Sequence, residues 1–254
     1  MAAGFDKNAE VYNALFKLGF GFVEVGTITP LKQYGNPKPR VFRLVEDEAL
    51  INRLGFNNHG AEIVKDRIKQ NKKLGLLGIN IGPNKDSSDR LNDYLIGLKT
   101  FYDDADYITI NISSPNTENL RTFHEGDKLQ DLLKSIMKEK KNLNSNIPIA
   151  VKVSPDINKD QVSQISEILL EHEIKAIIVS NTSEATRDKL SNIQRHQKGG
   201  LSGKPIEEKS NILINEFYKL LKGKIKIIGV GGVDSGQSAS VSYTHLTLPT
   251  TDRG

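Results

Sequence analysis

The sequence contains no cysteine among its 254 residues. Disulfides, thiolate metal sites and a cysteine nucleophile are therefore excluded, and nothing points to an oxidising compartment. The five histidines are scattered along the chain, without the close pairs that zinc sites use. No metal site is expected.

Long runs of apolar residues and long runs of one charge are also missing. No apolar run approaches the roughly 20 residues of a membrane span, and the start, MAAGFDKN, lacks the basic-then-apolar pattern of a signal peptide. The net charge of +4 comes from 35 basic and 31 acidic residues spread along the chain. Without a long run of one sign, a nucleic-acid groove is not expected.

The sequence does contain a regular alternation of apolar runs and amphipathic segments. Apolar residues at helical spacing predict helices between the runs, and a further short helix around 46–52, while 31–40 and KGGLSGKP are interpreted as loops. Continuous apolar strands favour a parallel sheet that is covered by helices. The runs that predict strands are 21–29, 76–82, 108–112, 147–155, 174–182 and 226–233.

Polar or glycine-rich residues follow strand after strand. This pattern is typical of the top face of a (β/α)8 barrel, and a doubly wound open sheet is the second choice. With Ala2 to Gly4 as a partial first strand there are seven strands and no eighth, which predicts an incomplete α/β TIM (β/α)8 barrel over residues 1–239. Residues 240–254 lack helical periodicity and are expected to be a non-native or disordered tail, the alternative being a genuine irregular tail.

Eight motifs carry a resemblance to a known family. With AAGFDKN, GFGFVEVGTITP, NPKPRVFRL, INRLGFNNHG, INISSPNT, NTS, GGLSGKP and IIGVGGV in this order, the chain resembles the class 2 dihydroorotate dehydrogenases from Ala2 to about Ala239. These are flavin enzymes of pyrimidine synthesis that pass electrons to quinone. The resemblance implies an FMN-binding barrel that oxidises (S)-dihydroorotate to orotate, removing a proton from C5 and a hydride from C6.

The resemblance places Ser114 at the position of the catalytic base, where related class 1 enzymes have a cysteine. A serine is a weak base at its free pKa, so it must hand the proton onward through hydrogen bonds, and Thr117 in the same loop is a candidate participant. The alternative is that Ser113 and Ser114 only cap the turn before Pro115.

Orotate is a flat ring with a carboxylate and amide-like edges, so its site needs a cation and several carboxamides, each of which offers a donor and an acceptor. The resemblance implies that such groups are supplied by Lys7, Asn52, Arg53, Leu54, Gly55, Phe56, Asn111, Asn116, Asn181 and Thr182.

For FMN, Lys152 is the most informative residue. A cation near flavin N1 stabilises the negative charge of the reduced ring, and a lysine inside the strand AVKVSP is otherwise an expensive buried charge. The glycines of GVGGV let backbone N–H groups approach a phosphate. The resemblance implies an FMN site made of Ala3, Gly4, Thr27, Asn80, Asn111, Lys152, Ser180, Ser202, Gly203, Gly231 and Gly232.

Use of quinone follows from the resemblance alone. Class 2 members dock on the membrane through N-terminal helices that form the quinone tunnel, and Arg43 matches the tunnel arginine. This implies a peripheral position on the cytoplasmic side of the inner membrane in a bacterium, and leaves open that a chain without those helices is soluble. The alternatives are another flavin barrel, such as a dihydrouridine synthase-like reductase, and an inactive barrel fragment.

Overall fold

The structure is a computed structural model that describes residues 1–117, 120–185 and 187–244. The α-helices are α1 (Tyr12–Lys17), α2 (Ala61–Lys69), α3 (Arg90–Phe101), α4 (Gly126–Asn142), α5 (Lys159–Glu171), α6 (Glu207–Leu221) and α7 (Gly236–Thr244). The strands are β1 (Phe22–Ile28), β2 (Val41–Leu44), β3 (Ala49–Asn52), β4 (Leu76–Ile81), β5 (Tyr107–Asn111), β6 (Ile149–Val153), β7 (Ala176–Val179), β8 (Gly200–Gly203) and β9 (Lys226–Gly229).

The main sheet has six parallel strands in the order β1-β4-β5-β6-β7-β9. Five of its strands, β1 and β4 to β7, are almost fully buried because they carry apolar side chains on both faces, as in β6, where all five residues are buried, whereas the edge strand β9 is partly exposed. Helices α3, α4 and α5 follow successive strands and pack against one another outside the sheet. The predicted incomplete (β/α)8 barrel is confirmed.

The segment Met1 to Gly4 forms no regular strand, although its backbone is hydrogen bonded to β1. Glu24 N donates to Met1 O at 2.9 Å, and Gly4 N donates to Gly26 O at 2.8 Å. The predicted first strand is therefore present only as an irregular segment that lies beside β1.

A second sheet is antiparallel and has the order β2-β3-β8. The predicted helix around 46–52 was wrong, because Ala49–Asn52 is a strand, and the segment GGLSG, interpreted as loop, contains the strand that pairs with it. Its buried face packs Phe42, Ile51 and Leu201 into a small separate core. Pairing between segments about 150 residues apart overrides the local helical preference of this stretch.

The segment after Gly236 also differs from expectation. Residues Gly236–Thr244 are helical, and Ser235 Oγ accepts a hydrogen bond from Ser238 N at 3.1 Å, which is the role of an N-cap. The expected lack of helical order was therefore wrong up to Thr244, and residues 245–254 lie outside the described residues. A non-native origin of 240–254 stays a prediction.

None of the helices in the described ranges has the length and apolar character needed to cross a bilayer.

Candidate active site

A cavity of about 500 Å³ lies where the parallel strands end. Its floor and walls come from the carboxyl ends of β1, β5 and β6 and from the residues that follow β7 and β9, with Thr27, Asn111 and Lys152 on the strands themselves. Residues of the antiparallel sheet, among them Val41 and Leu50, form another part of the wall. The prediction that polar strand ends converge on one face is borne out by this geometry.

Most of the predicted site residues line this cavity. Those of the substrate set are Lys7, Asn52, Leu54, Gly55, Phe56, Asn111, Asn116, Asn181 and Thr182, and the predicted catalytic residue Ser114 lines the cavity with them. Those of the cofactor set are Ala3, Gly4, Thr27, Asn111, Lys152, Ser180, Ser202 and Gly231.

Five predicted residues are not among those that line the cavity. Asn80 is fully buried beneath the cavity. Gly203 is packed so closely that an added Cβ would lie 2.3 Å from Glu48 O, and one at Gly232 would lie 2.5 Å from Glu207 Cβ. Arg53 donates to Gln197 Oε1 at 3.0 Å and lies over the Phe42 ring. Arg43 is exposed on β2.

A buried hydrogen-bond chain supports the cavity floor. Asn111 Nδ2 donates to Thr27 Oγ1 at 2.8 Å, and Thr27 Oγ1 donates to Asn80 Oδ1 at 2.6 Å. Asn80 Nδ2 in turn donates to Glu24 Oε1 at 2.8 Å, and the other oxygen of Glu24 accepts from Thr109 Oγ1 at 2.8 Å. Because each polar group has a partner, the orientation of the Asn111 carboxamide is defined before any ligand arrives.

Two further carboxamides that line the cavity, those of Asn116 and Asn181, are also oriented by hydrogen bonds. Ser113 Oγ donates to Asn111 Oδ1 at 2.7 Å and accepts from Asn181 Nδ2 at 2.8 Å. Asn116 Nδ2 donates to Asn52 O at 3.2 Å, which ties the polar loop after β5 to the end of β3. Four asparagines from three separate segments of the chain therefore line one cavity.

Ser114 is 4% exposed and lines the cavity. Its Oγ also accepts a hydrogen bond from Asn116 N at 3.2 Å, which is the turn-capping contact that the sequence left as the alternative. The two interpretations are compatible, because a hydroxyl has a second lone pair and a proton to offer. Thr117 is buried in the same loop, and a relay through it stays a prediction.

Two lysines give the cavity a positive character. Burial lowers the pKa of Lys152, and the Glu24 carboxylate acts in the opposite direction. Burial, with smaller contributions from Arg40 and Lys152, lowers the pKa of Lys7 to about 8. Within the described ranges neither ammonium has a hydrogen-bonded carboxylate, so both are available to an anion.

The cavity also fits a phosphorylated, planar group. Lys152 is only 5% exposed, and an ammonium in such a position is costly unless an acceptor completes its surroundings. Gly4 has a φ of +110°, and a Cβ placed there meets nothing within 4 Å, so the glycine leaves cavity space open. Gly231 likewise has a positive φ, of +125°. These features suit the FMN site that the sequence predicts.

Comparison with known proteins identifies the family. The family model for dihydroorotate dehydrogenase matches residues 1–244. The chain belongs to the dihydroorotate dehydrogenase family. A dihydroorotate dehydrogenase (quinone) of Bartonella tribocorum is 49% identical over 244 residues, covering 94% of this chain and 68% of that protein. One from Buchnera aphidicola is 47% identical over 247 residues, covering 94% and 73%.

Solved structures agree with this assignment. The dihydroorotate dehydrogenase of Eimeria tenella, in complex with ferulenol, superposes with a TM-score of 0.93 at 37% identity, covering 96% of this chain and 72% of that one. Its ligand-free form gives the same TM-score and identity, with 75% of that chain covered. The family resemblance inferred from the eight motifs is confirmed.

Sequence reasoning missed two features of the site. Glu24 was not singled out, although a carboxylate inside the apolar strand FVEVG is a signal of a buried partner. Arg121 and Asp156 form an ion pair at 3.1 Å beside the polar loop after β5. No local pattern indicates that these two residues meet.

His124 is a buried histidine next to this loop and gives a pH-dependent prediction. Its Nε2 accepts from Ser154 N at 3.3 Å, and burial lowers its pKa to about 4. Because the pKa of His124 is lower in the folded state, the unfolded chain takes up a proton first as pH falls. The full stability is therefore present above the unfolded pKa of about 6.5 and is lost progressively below it. We expect His124 to lower the free energy of unfolding by about 2 kcal/mol between pH 7 and pH 5, as measured by urea denaturation.

His124→Gln is the matched control, because glutamine keeps an acceptor and a donor but does not titrate in this range. Between pH 7 and pH 5, the free energy of unfolding of this variant should fall by about 2 kcal/mol less than that of the unmodified chain. Equal pH slopes for the two proteins would contradict a neutral, buried His124.

Proposed function

We propose that this chain oxidises (S)-dihydroorotate to orotate, with FMN as hydride acceptor and a quinone as final electron acceptor. The single observation that carries the proposal is the convergence on one cavity of four asparagines, Ser114 and two ammonium groups that have no hydrogen-bonded carboxylate among the described residues. A cation and several carboxamides are what a planar ring with a carboxylate and amide edges requires. The membership of the dihydroorotate dehydrogenase family supports the same activity.

In this proposal the substrate is bound by Lys7 and the asparagines. Lys7 offers a charge-assisted hydrogen bond to the carboxylate, and because burial disfavours the charged form and lowers its pKa, an anion beside the ammonium is favourable. Asn111 and Asn181 are held by Ser113, and Asn116 is held by Asn52. Because these groups are already oriented, little side-chain freedom is lost when the ring enters.

Ser114 removes the proton from C5 in this proposal. The hydroxyl lies at the cavity wall and is 4% exposed, so bulk water is largely excluded from it. The Asn116 N–H that it accepts fixes the direction of one lone pair. The oxygen must release its own proton as it takes up the C5 proton, which requires a hydrogen-bonded acceptor, and Thr117 is the candidate in the same loop.

FMN, when bound, supplies the acceptor for the hydride that leaves C6. Lys152 would hold the flavin ring and offset the negative charge that builds up on it, since the ammonium lines the cavity and, among the described residues, the Glu24 carboxylate acts on it through charge and not through a hydrogen bond. Thr27 and Asn111 would bind polar edges of the ring, and the backbone around Ser202 and Gly231 would receive the phosphate. Asn80, Gly203 and Gly232 would act by shaping these neighbours, because they lie behind the cavity wall.

The quinone is the part of the proposal that depends most on the relatives. The proteins of Bartonella and Buchnera carry the name dihydroorotate dehydrogenase (quinone). Arg43 is exposed on β2, in register with Leu50, which lines the cavity. A quinone headgroup bound near Arg43 would therefore approach the site past the antiparallel sheet, and membrane contact would supply this apolar substrate.

An anaerobic visible spectrum of the purified chain tests the activity. We expect flavin absorbance that bleaches when dihydroorotate is added and returns when a soluble quinone is added. A flavin that bleaches with NADPH but not with dihydroorotate would favour the other flavin reductases, and a colourless protein that FMN cannot reconstitute would favour the inactive fragment.

Lys7 makes the binding of orotate depend on pH. The orotate carboxylate binds the charged form of Lys7. This form is lost as pH rises above the pKa of about 8, so the affinity for orotate should fall as pH rises. We expect the dissociation constant of orotate, measured by calorimetry, to rise by up to about tenfold between pH 7 and 9.

Lys7→Gln should bind orotate more weakly at pH 7 and lose most of this pH dependence. If the variant keeps the same dependence as the unmodified chain, another group titrates and Lys7 is not the carboxylate partner.

A further inference from the structure

Arg121 is hydrogen bonded to two segments that border the proposed substrate site. Its Nε donates to Ser113 O at 3.3 Å, and its Nη2 donates to Thr182 O at 3.1 Å. Ser113 directly precedes Ser114, and Thr182 directly follows Asn181. One guanidinium therefore connects the backbone that carries the proposed base with the backbone that carries a proposed substrate ligand.

Asp156 forms an ion pair with this guanidinium. Arg121 Nη1 lies 3.1 Å from Asp156 Oδ2, and the two side chains are 24% and 17% exposed. The carboxylate also accepts from Ser183 Oγ at 2.5 Å and from Glu184 N at 2.7 Å. Burial raises the pKa of Asp156, but hydrogen bonds from Lys209, Ser183 and the Glu184 amide outweigh it and lower the pKa. The carboxylate is thus charged.

The backbone of Arg121 is anchored as well. Arg121 O lies 3.0 Å from His124 Nδ1, and His124 Nε2 accepts from Ser154 N at the end of β6. With the backbone tied to β6 and the side chain tied to Asp156, the guanidinium has little freedom to move. Its two carbonyl partners are therefore held at a set separation.

We propose that Arg121 is a positioning residue that sets the distance between the Ser114 loop and the Asn181–Thr182 segment. This inference rests on the proposed function, because it concerns how the base meets the bound substrate. Arg121 lies outside the residues that line the cavity, so it acts through the two backbones. A shift of about 1 Å between reacting groups can cost roughly a hundredfold in rate.

Arginine is required by this geometry. Its planar group presents several N–H donors in fixed directions, whereas a lysine ammonium is a compact charge on a flexible stem. Lysine at this position could retain the ion pair with Asp156 but could not reach both carbonyl groups in the same way. Arg121→Lys therefore separates the charge from the bridging contacts.

Lys209 provides a matched control. Its ammonium pairs with the same carboxylate, through Asp156 Oδ1, and its side chain is 40% exposed. It makes no contact with Ser113 or Thr182 among the described residues. Lys209→Gln removes a cation from Asp156 but leaves the hydrogen bonds from Arg121 to Ser113 O and Thr182 O in place.

The experiment compares flavin bleaching in the unmodified chain, Arg121→Lys and Lys209→Gln by anaerobic stopped-flow absorbance. We expect Arg121→Lys to reduce the rate constant of flavin bleaching at saturating dihydroorotate by roughly 10- to 100-fold. The flavin content and the half-saturating concentration of dihydroorotate should stay within about twofold of the original values. The melting temperature should stay within a few degrees. Lys209→Gln should bleach at the original rate.

Isotope and exchange measurements separate positioning from simple stabilisation. With dihydroorotate deuterated at C5, Arg121→Lys should show a larger isotope effect than the original chain, because proton removal becomes slower relative to hydride transfer. With C6-deuterated substrate the effect should not grow. Amide hydrogen exchange of Asn116 and Glu184 should become faster in the same variant.

Three results would overturn the proposal: an unchanged bleaching rate in Arg121→Lys, a slower rate accompanied by loss of flavin or of melting temperature, or an equal loss in Lys209→Gln. These differ from a failure of the proposed function, in which the original chain itself would bind flavin without being bleached by dihydroorotate.

Discussion

Ser114→Ala is expected to slow flavin bleaching by dihydroorotate by about a thousandfold, within the range that a general base contributes. Flavin content and orotate affinity should change little, because the backbone around Ser114 is held by Arg121 and by Asn116, which is anchored on Asn52. The variant loses one turn-capping acceptor, for Asn116 N, which costs about 1 kcal/mol of stability. Rapid-mixing absorbance under anaerobic conditions measures the rate.

Ser114→Cys is the matched control for this variant. A thiol has about the same size, and its free pKa of about 8.5 is far below that of a hydroxyl. We expect Ser114→Cys to bleach faster than Ser114→Ala and to reach its maximal rate at a lower pH than the original chain. Equal rates for the alanine and cysteine variants would mean that position 114 does not accept the proton.

The main sheet and much of the cavity could be predicted from the sequence because their signals are local. Each parallel strand is an apolar run that is long enough to be recognised, and each ends in polar residues such as Asn111 or in a glycine pair such as Gly231 and Gly232. In a parallel sheet all carboxyl ends lie at one edge, so local patterns are sufficient to bring Thr27, Asn111 and Lys152 together.

The antiparallel sheet could not be predicted in this way. Its strands have four residues each, and β3 pairs with a segment about 150 residues later in the chain. The stretch from Val45 to Asn52 contains acids followed by alanine and leucine, which favour a helix locally. Pairing with β8 and burial of Ile51 decide the conformation instead. As a result, the orientation of Arg53 and Arg43 could not be foreseen.

Contacts between loops were equally hidden. Asp156 follows Pro155 in a polar turn, and Arg121 closes the motif SSPNTENLR, so each alone is compatible with an ordinary solvated charge. Only the tertiary structure shows that they meet and that Ser183 and Glu184 complete the same cluster. Strand ends therefore indicate the cavity residues, whereas Arg121 and Asp156, for which we propose a positioning role, give no local signal in the sequence.

Lys152→Met is expected to have the second large effect, on the flavin itself. The ammonium is 5% exposed and faces the cavity, so its removal takes away the cation that would stabilise the reduced ring. We expect the reduction potential of bound flavin to fall by tens of millivolts and the bleaching rate to fall by about 100- to 1,000-fold. Anaerobic potentiometry with reference dyes measures the first quantity.

The stability of the flavin-free chain distinguishes this role from a structural one. Burial lowers the pKa of Lys152, which means that the folded protein disfavours the charged form, so methionine at this position should not reduce the free energy of unfolding. Lys175→Met, at an exposed position just before β7, is the control and should leave potential and rate unchanged. If Lys152→Met keeps the original potential, the cation does not act on the flavin, and its burial must be explained by Glu24 alone.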